Sequence, residues 1–298
     1  MKAPASLKVG DTIAIISPAG ALKETSVVAA TKDLLEKWGL KVVLMPHTLT
    51  KRGYYSGTIE ERTDDLSKAM LDKNIKAILC SYGGYGCVHL LNDFAPLIKE
   101  YPKWIIGMSD CSALHAVCLS QGVMSIHSPQ CNHLSKFPDG IPANKLKDIL
   151  FGEKPIYRNA PHRLDIHGAA TGTLAGGNLS VLTALIGTGY DVFKNDTILF
   201  IEDIGEQAYR IERMMYQLKL SGALSRMNGI VIGQFSGTKE NPEFGEPYEL
   251  IHDIVKQYDI PVCFGFPTGH CNENMPLIEG AVCHLTVDEN GATLDFNI

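Results

Sequence analysis

The chain has 298 residues, of which 45% are apolar and 20% charged, and its formal net charge at pH 7 is −6. These values are typical of a globular protein with one large domain or two of ordinary size, and the negative charge disfavours nucleic acid or an anionic membrane as a partner. We expect neither a membrane span nor a secretory signal, because no apolar run is long enough and residues 1–11 lack an apolar core.

The first half of the chain alternates short apolar runs with segments of helical periodicity. The predicted strands are 12–17, 41–45, 75–81, 104–106 and 123–127, and the predicted helices are 23–38, 59–72, 89–93 and 95–100. This alternation predicts βαβ units that pair into a parallel sheet. Ligands bind beyond the carboxyl ends of such strands, where we place the turns 17–20, 82–86 and 108–110.

Prolines interrupt the pattern between the two halves, so we predict a first domain over 1–150, a linker over about 128–168 with one helix at 143–150, and a second domain over 169–298. The second domain resumes the alternation of helices and strands. Its predicted strands are 197–202, 229–233 and 261–264, and its predicted helices end at 185, 220 and 258. The tail predicts a hairpin of 281–287 and 292–297 around a turn at 289–291.

Ser109 lies where an apolar strand meets a helix. A strand, a tight turn at Gly107-Met108-Ser109-Asp110 and a helix from Cys111 would expose the hydroxyl and aim backbone N–H groups at one point. That is the geometry of a nucleophile elbow, although the usual Gly-x-Ser-x-Gly is absent. Ser is also favoured as a helix N-cap, so Ser109 is either a nucleophile or a cap.

Glu202 ends an apolar strand, and His270 follows another. A carboxylate at the end of a buried strand is costly unless it is paired, and Glu202 would either bind Arg210 or Arg213 or orient a catalytic histidine. His270 lies in a loop rich in Gly and Pro, where it is either a surface residue or a catalytic base.

Two other histidines compete for the catalytic role. His115 lies within the helix after Ser109, where we expect packing or surface exposure, and His127 ends the next strand, where we expect it to line a pocket.

The eight cysteines include no Cys-x-x-Cys pair, and most lie in apolar runs. This pattern predicts free, mostly buried thiols in a reducing cytosol rather than disulfides or a zinc site. The ten histidines lack the spacing of metal ligands, so we predict no metal site. The first strand lacks the Gly-x-Gly-x-x-Gly fingerprint of dinucleotide binding, and we predict no cofactor.

Five short motifs occur in an order that closely resembles the LD-carboxypeptidases, a serine peptidase family that includes the microcin C self-immunity peptidases. The motifs are Gly83-Gly84-Tyr85-Gly86, Gly107-Met108-Ser109-Asp110, Gly176-Gly177-Asn178-Leu179-Ser180, Glu202-Asp203-Ile204-Gly205-Glu206 with Tyr209-Arg210-Ile211, and Gly269-His270. Each motif alone is weak, but the set covers nearly the whole chain.

The resemblance implies a Ser-Glu-His triad with Ser109 as nucleophile, His270 as general base and Glu202 as its orienting carboxylate. It implies an oxyanion hole made by the backbone N–H groups of Gly84 and Asp110. It also implies an α/β fold with an N-terminal flavodoxin-like parallel sheet, helices on both faces, and a smaller C-terminal swivelling β/α domain. The implied enzyme is a cytoplasmic homodimer that needs no metal and releases the terminal D-alanine of a murein tetrapeptide.

One departure bears on the substrate, since this chain has Tyr82 where the family usually carries Arg before Gly-Gly-Tyr-Gly. We expect Tyr82, Gly83, Tyr85 and His127 to line the substrate pocket. Three alternatives stay open: a microcin C-type peptidase that cleaves a peptide-nucleotide conjugate, an amidotransferase-like enzyme that uses Cys111, and a non-enzymatic flavodoxin-like binding module.

Overall fold

Two units share the chain, each built around one sheet. The computed structural model describes residues 1–238 and 244–297. Unit 1 comprises Met1–Glu153 and Met275–Gly280, and unit 2 comprises Lys154–Asn274 and Ala281–Ile298, as far as these are described. The chain therefore changes unit at residue 153, inside the predicted linker, and a short segment of the predicted second domain belongs to unit 1.

The described residues form strands, helices and short 3₁₀ turns with the following bounds. The strands are β1 (Thr12–Ile16), β2 (Lys41–Leu44), β3 (Ile75–Cys80), β4 (Trp104–Gly107), β5 (Ser125–His127), β6 (Ile156–Asn159), β7 (Gly168–Asn178), β8 (Thr197–Ile204), β9 (Met227–Ser236), β10 (Val262–Cys263), β11 (Leu277–Glu279), β12 (Val282–Asp288) and β13 (Gly291–Asp295). The helices are α1 (Ser26–Lys37), α2 (Ile59–Leu71), α3 (Leu91–Glu100), α4 (Ser112–Ser120), α5 (Cys131–Lys136), α6 (Ile141–Leu150), α7 (Leu179–Ala184), α8 (Ala208–Leu220) and α9 (Pro247–Val255). Short 3₁₀ turns span Cys87–Leu90, Ser109–Cys111 and Leu224–Arg226.

The sheet of unit 1 has six strands in the order β11-β5-β4-β3-β1-β2. Strands β1 to β5 run parallel in the order of a flavodoxin-like sheet, and β11 is an antiparallel edge strand beside β5. Apolar runs such as Ile13–Ile16 and Ile105–Ile106 are buried, as expected of parallel strands covered on both faces. The predicted fold class is confirmed for this unit.

The sheet of unit 2 has seven strands in the order β10-β9-β8-β7-β12-β13-β6. Strands β7 to β10 pair in parallel, whereas β12, β13 and β6 extend the sheet in antiparallel. The predicted tail hairpin is confirmed, because Leu285 pairs with Leu294 and the strands turn before Gly291. The sheet is therefore mixed, and two of its parallel strands, β7 and β8, contain residues of the family motifs.

The structure differs from the sequence prediction in three places. The predicted linker contains α5 and β6 in addition to its one predicted helix, which is confirmed as α6, and the two helices predicted at 89–100 are one helix, α3, after a 3₁₀ turn. Strand β7 was not predicted, because its glycines, alanines and threonines form no apolar run. Within residues 1–238 and 244–297, no helix combines the length and apolarity needed to cross a membrane.

Candidate active site

Ser109 is the first residue of the 3₁₀ turn that joins β4 to α4. Its φ of 60° lies in the left-handed region, which residues other than glycine rarely occupy. The caps of this turn and of α4 are Met108 and Cys111, and neither makes a side-chain capping bond, so the N-cap interpretation of Ser109 is wrong. Strained backbone of this kind concentrates at functional sites, where the surrounding structure holds it in place.

The loop 83–86 lies directly against Ser109. A Cβ atom added to Gly83 would lie 2.8 Å from Cβ of Ser109 and 2.9 Å from its Oγ. The same atom would lie 3.3 Å from the backbone nitrogen of Asp110. The backbone N–H of Gly20 donates to the carbonyl oxygen of Gly83 at 2.9 Å, so the three turns predicted at the carboxyl ends of the strands meet.

Asp110 has a buried side chain, 5% exposed, that accepts a hydrogen bond from the backbone N–H of Cys87 at 2.7 Å. Burial raises the pKa of the Asp110 carboxyl to about 6, although the bonds from the 86–87 backbone oppose that shift. The carboxylate thus ties the turn of Ser109 to the glycine loop.

The predicted pocket residues differ in accessibility. Tyr82 is half-buried, and its ring edge is close to both Gly20 and Gly84, because a Cβ atom added to them would lie 3.2 Å and 3.3 Å from Cε1 of Tyr82. Tyr85 is 49% exposed, whereas His127 is fully buried in β5 between β4 and β11. Tyr82 and Tyr85 are therefore accessible beside Gly83 and Gly84, and His127 is not on the surface.

In unit 2, His270 and Glu202 form a short hydrogen bond. His270 Nδ1 lies 2.6 Å from Glu202 Oε2, and Glu202 is fully buried near the end of β8. The alternative pairing of Glu202 with an arginine is wrong, because Arg210 pairs with Glu206 and Arg213 lies over the ring of Tyr209. Glu202 is thus placed to hold one nitrogen of the imidazole and leave Nε2 for another partner.

Gly269 makes the approach of Glu202 possible. Its φ is +105°, and a Cβ atom there would lie 2.6 Å from Cβ of Glu202 and 2.7 Å from its Oε2. The Gly269 N–H donates to Asn274 Oδ1 at 2.8 Å, which fixes the loop that carries His270. Only a residue without a side chain fits this position.

The pKa of His270 reflects two opposing effects. Burial disfavours the imidazolium and would lower the pKa, but the hydrogen bond to Glu202 and the charges of Glu202 and Asp203 outweigh it, so the pKa is raised above 6.5. This is the effect expected of a carboxylate that stabilises a protonated histidine.

The motif around Asn178 supports the strand end that carries Glu202. The Asn178 side chain accepts from Val181 N–H as the cap of α7 and donates to Asp203 Oδ1 at 2.9 Å, while the Ser180 N–H donates to Asp203 Oδ2 at 2.9 Å. Burial raises the pKa of Asp203 to about 6. The motif therefore acts as a scaffold between β7 and β8.

The cysteines bear on the alternative of an amidotransferase-like enzyme that uses Cys111. All eight cysteines are free and all but Cys271 are buried, as predicted. Cys111 is fully buried, and hydrogen bonds from Cys80 and Cys87 lower the pKa of its thiol well below the ordinary value, so the thiol is polarised but not accessible.

A group of three possible metal ligands lies elsewhere in unit 1. Ligand atoms of His47, Asp64 and Asp65 lie within 4.8 Å of one another. Asp65 accepts from His47 N–H at 2.9 Å, and Lys68 neutralises Asp64 at 2.6 Å, so these side chains already have protein partners.

Sequence reasoning missed Arg62, which is 2% exposed and contacts the glycine loop. Together with Tyr55 and His89 it lines part of a cavity of about 600 Å³ in unit 1, which the predicted pocket residues do not line. No local signal marks Arg62, because charged residues on a helix usually face solvent.

Comparison with known proteins matches both halves of the chain. Residues 13–128 match the model of the LD-carboxypeptidase N-terminal domain, and residues 171–285 match that of the LD-carboxypeptidase C-terminal domain. A probable murein peptide carboxypeptidase of Bacillus subtilis is 32% identical over 99% of this chain and 95% of its own. The murein tetrapeptide carboxypeptidase of Pseudomonas aeruginosa is 31% identical over 88% of this chain and 89% of its own.

Two further relatives extend the comparison. The microcin C7 self-immunity protein of Escherichia coli is 27% identical over 97% of this chain and 94% of its own. The crystal structure of a muramoyltetrapeptide carboxypeptidase from Oxalobacter formigenes superposes with a TM-score of 0.86 at 27% identity, covering 96% of this chain and 99% of the other.

Proposed function

This chain belongs to the LD-carboxypeptidase family, and we propose that it is a serine carboxypeptidase that releases the terminal D-alanine of a murein tetrapeptide through an acyl-enzyme. The observation that carries the proposal is the hydrogen bond of 2.6 Å between His270 and the buried Glu202. The strained backbone of Ser109 at the end of β4 supports it independently. Relatives with murein carboxypeptidase names support the substrate class.

In the proposed reaction, the Ser109 hydroxyl attacks the carbonyl carbon of the bond to the terminal D-alanine. His270 Nε2 takes the hydroxyl proton while Glu202 holds Nδ1 and stabilises the imidazolium that forms. His270 then gives the proton to the leaving amine, and D-alanine departs. Water, deprotonated by His270, hydrolyses the acyl-enzyme and regenerates Ser109.

The developing oxyanion requires fixed donors. We assign this role to the backbone N–H groups of Gly84 and Asp110. Asp110 follows Ser109 in the chain, and Gly84 follows Gly83, which packs against Ser109 in unit 1. One such donor typically contributes about 3–4 kcal/mol to transition-state stabilisation. The close packing of Gly83 on Ser109 supports the assignment, because it keeps this loop beside the nucleophile.

The test is D-alanine release from purified murein tetrapeptide by the wild type and by Ser109→Ala, Glu202→Gln and His270→Ala. We expect Ser109→Ala to fold with an unchanged melting temperature and to release no D-alanine. A fluorophosphonate should label the wild type and not Ser109→Ala. Hydrolysis that persists in Ser109→Ala would refute the proposal.

A microcin C-type peptidase activity is the second possibility, and the Escherichia coli self-immunity protein, matched over 97% of this chain, favours it. Tyr82 bears on the choice, because an uncharged side chain beside Gly84 changes which substrate group this surface holds. Parallel assays on the murein tetrapeptide and on an aminoacyl-sulfamoyl nucleoside separate the two by their kcat/KM values.

The proposal includes a cytoplasmic homodimer that needs no metal, which rests on the family resemblance. Sedimentation equilibrium of the full chain tests the dimer, and assay after dialysis against a chelator tests the independence from metal.

A further inference from the structure

One peptide group in unit 1 is held at both of its polar atoms by buried, oppositely charged side chains. The carbonyl oxygen of Gly86 accepts from Arg62 Nη1 at 2.9 Å. The N–H of Cys87, which belongs to the same peptide group, donates to Asp110 Oδ2 at 2.7 Å. The arrangement is an ion pair bridged by a peptide.

Burial makes this arrangement energetically important. Arg62 is 2% exposed and Asp110 5% exposed, so both charges have lost most of their hydration. Charged groups in such surroundings are stable only when their hydrogen bonds are made, and bonds to an ionised group are about twice as strong as neutral ones. The polarised peptide supplies one such bond to each charge.

Arg62 is itself fixed by several contacts. It donates to the carbonyl oxygen of Pro18 at 2.7 Å, lies 3.0 Å from His89 Nδ1, and its guanidinium lies 5.2 Å from the centre of the Tyr55 ring. Its position on α2 anchors it to a helix with a capping box at Thr58. The guanidinium is therefore a rigid support for the loop.

The supported loop needs such a restraint. Residues 83–86 include three glycines, and glycine has the greatest conformational freedom of any residue in an unrestrained chain. This loop carries the N–H of Gly84, and the turn it contacts carries Ser109 and the N–H of Asp110. A displacement of about 1 Å in a reacting geometry can lower a rate about 100-fold.

We propose that Arg62 and Asp110 are positioning residues that clamp the Gly86–Cys87 peptide group and so hold the Gly84 N–H in register with Ser109. The effect of the clamp on catalysis rests on the proposed function, whereas its effect on the conformation of the loop 83–86 does not. It gives the Asp110 carboxylate a task separate from that of the Asp110 backbone N–H.

The test combines kinetics with amide hydrogen exchange on the full chain. Arg62→Met and Asp110→Ala remove the clamp. Arg62→Lys keeps a charged donor and Asp110→Asn keeps an oxygen acceptor. Asp65→Asn is the control. Asp65 is a matched control because it is a buried carboxylate on the same helix as Arg62 but is bonded to His47 instead of the loop.

We expect Arg62→Met and Asp110→Ala each to lower kcat by roughly 100-fold, the size of one lost oxyanion donor, with KM within about twofold of the wild type. Arg62→Lys and Asp110→Asn should recover part of that loss. The double variant Arg62→Met/Asp110→Ala should be no slower than the slower single variant, because both side chains act on one peptide group. The amide of Cys87 should exchange faster in both Asp110 variants, and more so in Asp110→Ala.

Three results would overturn the clamp: multiplicative effects in the double variant, kcat losses no larger than that of Asp65→Asn, or unchanged exchange at Cys87. If Asp110→Ala or Arg62→Met does not fold, Asp110→Asn and Arg62→Lys decide by the same criteria. If the wild type releases no D-alanine, the proposed function fails, and exchange at Cys87 alone decides whether the clamp exists.

Discussion

Replacing Gly83 by Ala tests how closely the glycine loop determines the position of the nucleophile. The backbone of Gly83 is not in the left-handed region, so Ala adds no backbone strain there. Its Cβ would lie 2.8 Å from Cβ of Ser109 and 2.9 Å from Oγ. The substitution therefore perturbs the Ser109 side chain by steric overlap alone.

The size of the displacement follows from these distances. Ordinary contacts begin at 3.4 Å, so Ser109 or the loop must move by the 0.6 Å that separates this value from 2.8 Å. Overpacking of this kind typically costs about 1–3 kcal/mol of unfolding free energy. Because a misplacement of 1 Å can cost about 100-fold in rate, we expect kcat to fall by roughly 10- to 100-fold.

The assay is D-alanine release, measured beside urea unfolding and fluorophosphonate labelling of Ser109. Gly189→Ala is the matched control, since nothing lies within 4 Å of a Cβ added there and its φ is unexceptional. We expect the control to retain full activity and a stability within about 1 kcal/mol of the wild type. A Gly83→Ala enzyme with kcat within twofold of the wild type would refute this account of the loop.

Three further predictions concern unit 2. Activity should rise with pH through the pKa of His270, which lies above 6.5. In Glu202→Gln the midpoint of the pH profile should move to lower pH, because the charge of Glu202 and its bond to the imidazolium no longer oppose the effect of burial on that pKa, and kcat/KM should fall by roughly 1,000-fold or more. An unmoved midpoint would contradict this. Gly269→Ala should lose about 2–5 kcal/mol of unfolding free energy in urea titrations, because it combines a φ of +105° with a contact of 2.6 Å to Glu202, and a loss under 1 kcal/mol would argue against it. The raised pKa of Asp203 means that the folded state binds its proton more tightly, so this group stabilises the fold below pH 3.8 and that contribution is lost as pH rises to about 6. Asp203→Asn should therefore flatten the fall in unfolding free energy over this range, by about 3 kcal/mol at most, and an unchanged slope in chemical denaturation would show that the carboxyl is not responsible.

The secondary structure of both units could be predicted largely from local pattern. Buried parallel strands such as β1, β3 and β4 are continuous apolar runs, and the tail hairpin shows strict alternation around Asn290-Gly291. Strand β7 could not be predicted, because its small residues form no apolar run. Two of its glycines, Gly172 and Gly176, instead allow the close approach of β8.

The site was partly predictable for a similar reason. Ser109 and His270 each follow an apolar strand and Glu202 ends the predicted one. Such positions lie at the carboxyl edge of a parallel sheet, so their placement near strand ends follows from the chain itself. Their identification as a triad came from the order of the five motifs and stays a proposal.

The sequence by itself determined the two alternating αβ halves, the tight turn at Ser109 and the loop that carries His270, because backbone conformation is encoded by neighbouring residues. Only the tertiary structure decided that Glu202 binds His270 across 68 positions, that β11 joins the sheet of unit 1, and that Arg62 and Asp110 share one peptide group. Partners so far apart in the chain leave no periodic signal, since their meeting depends on how whole elements pack.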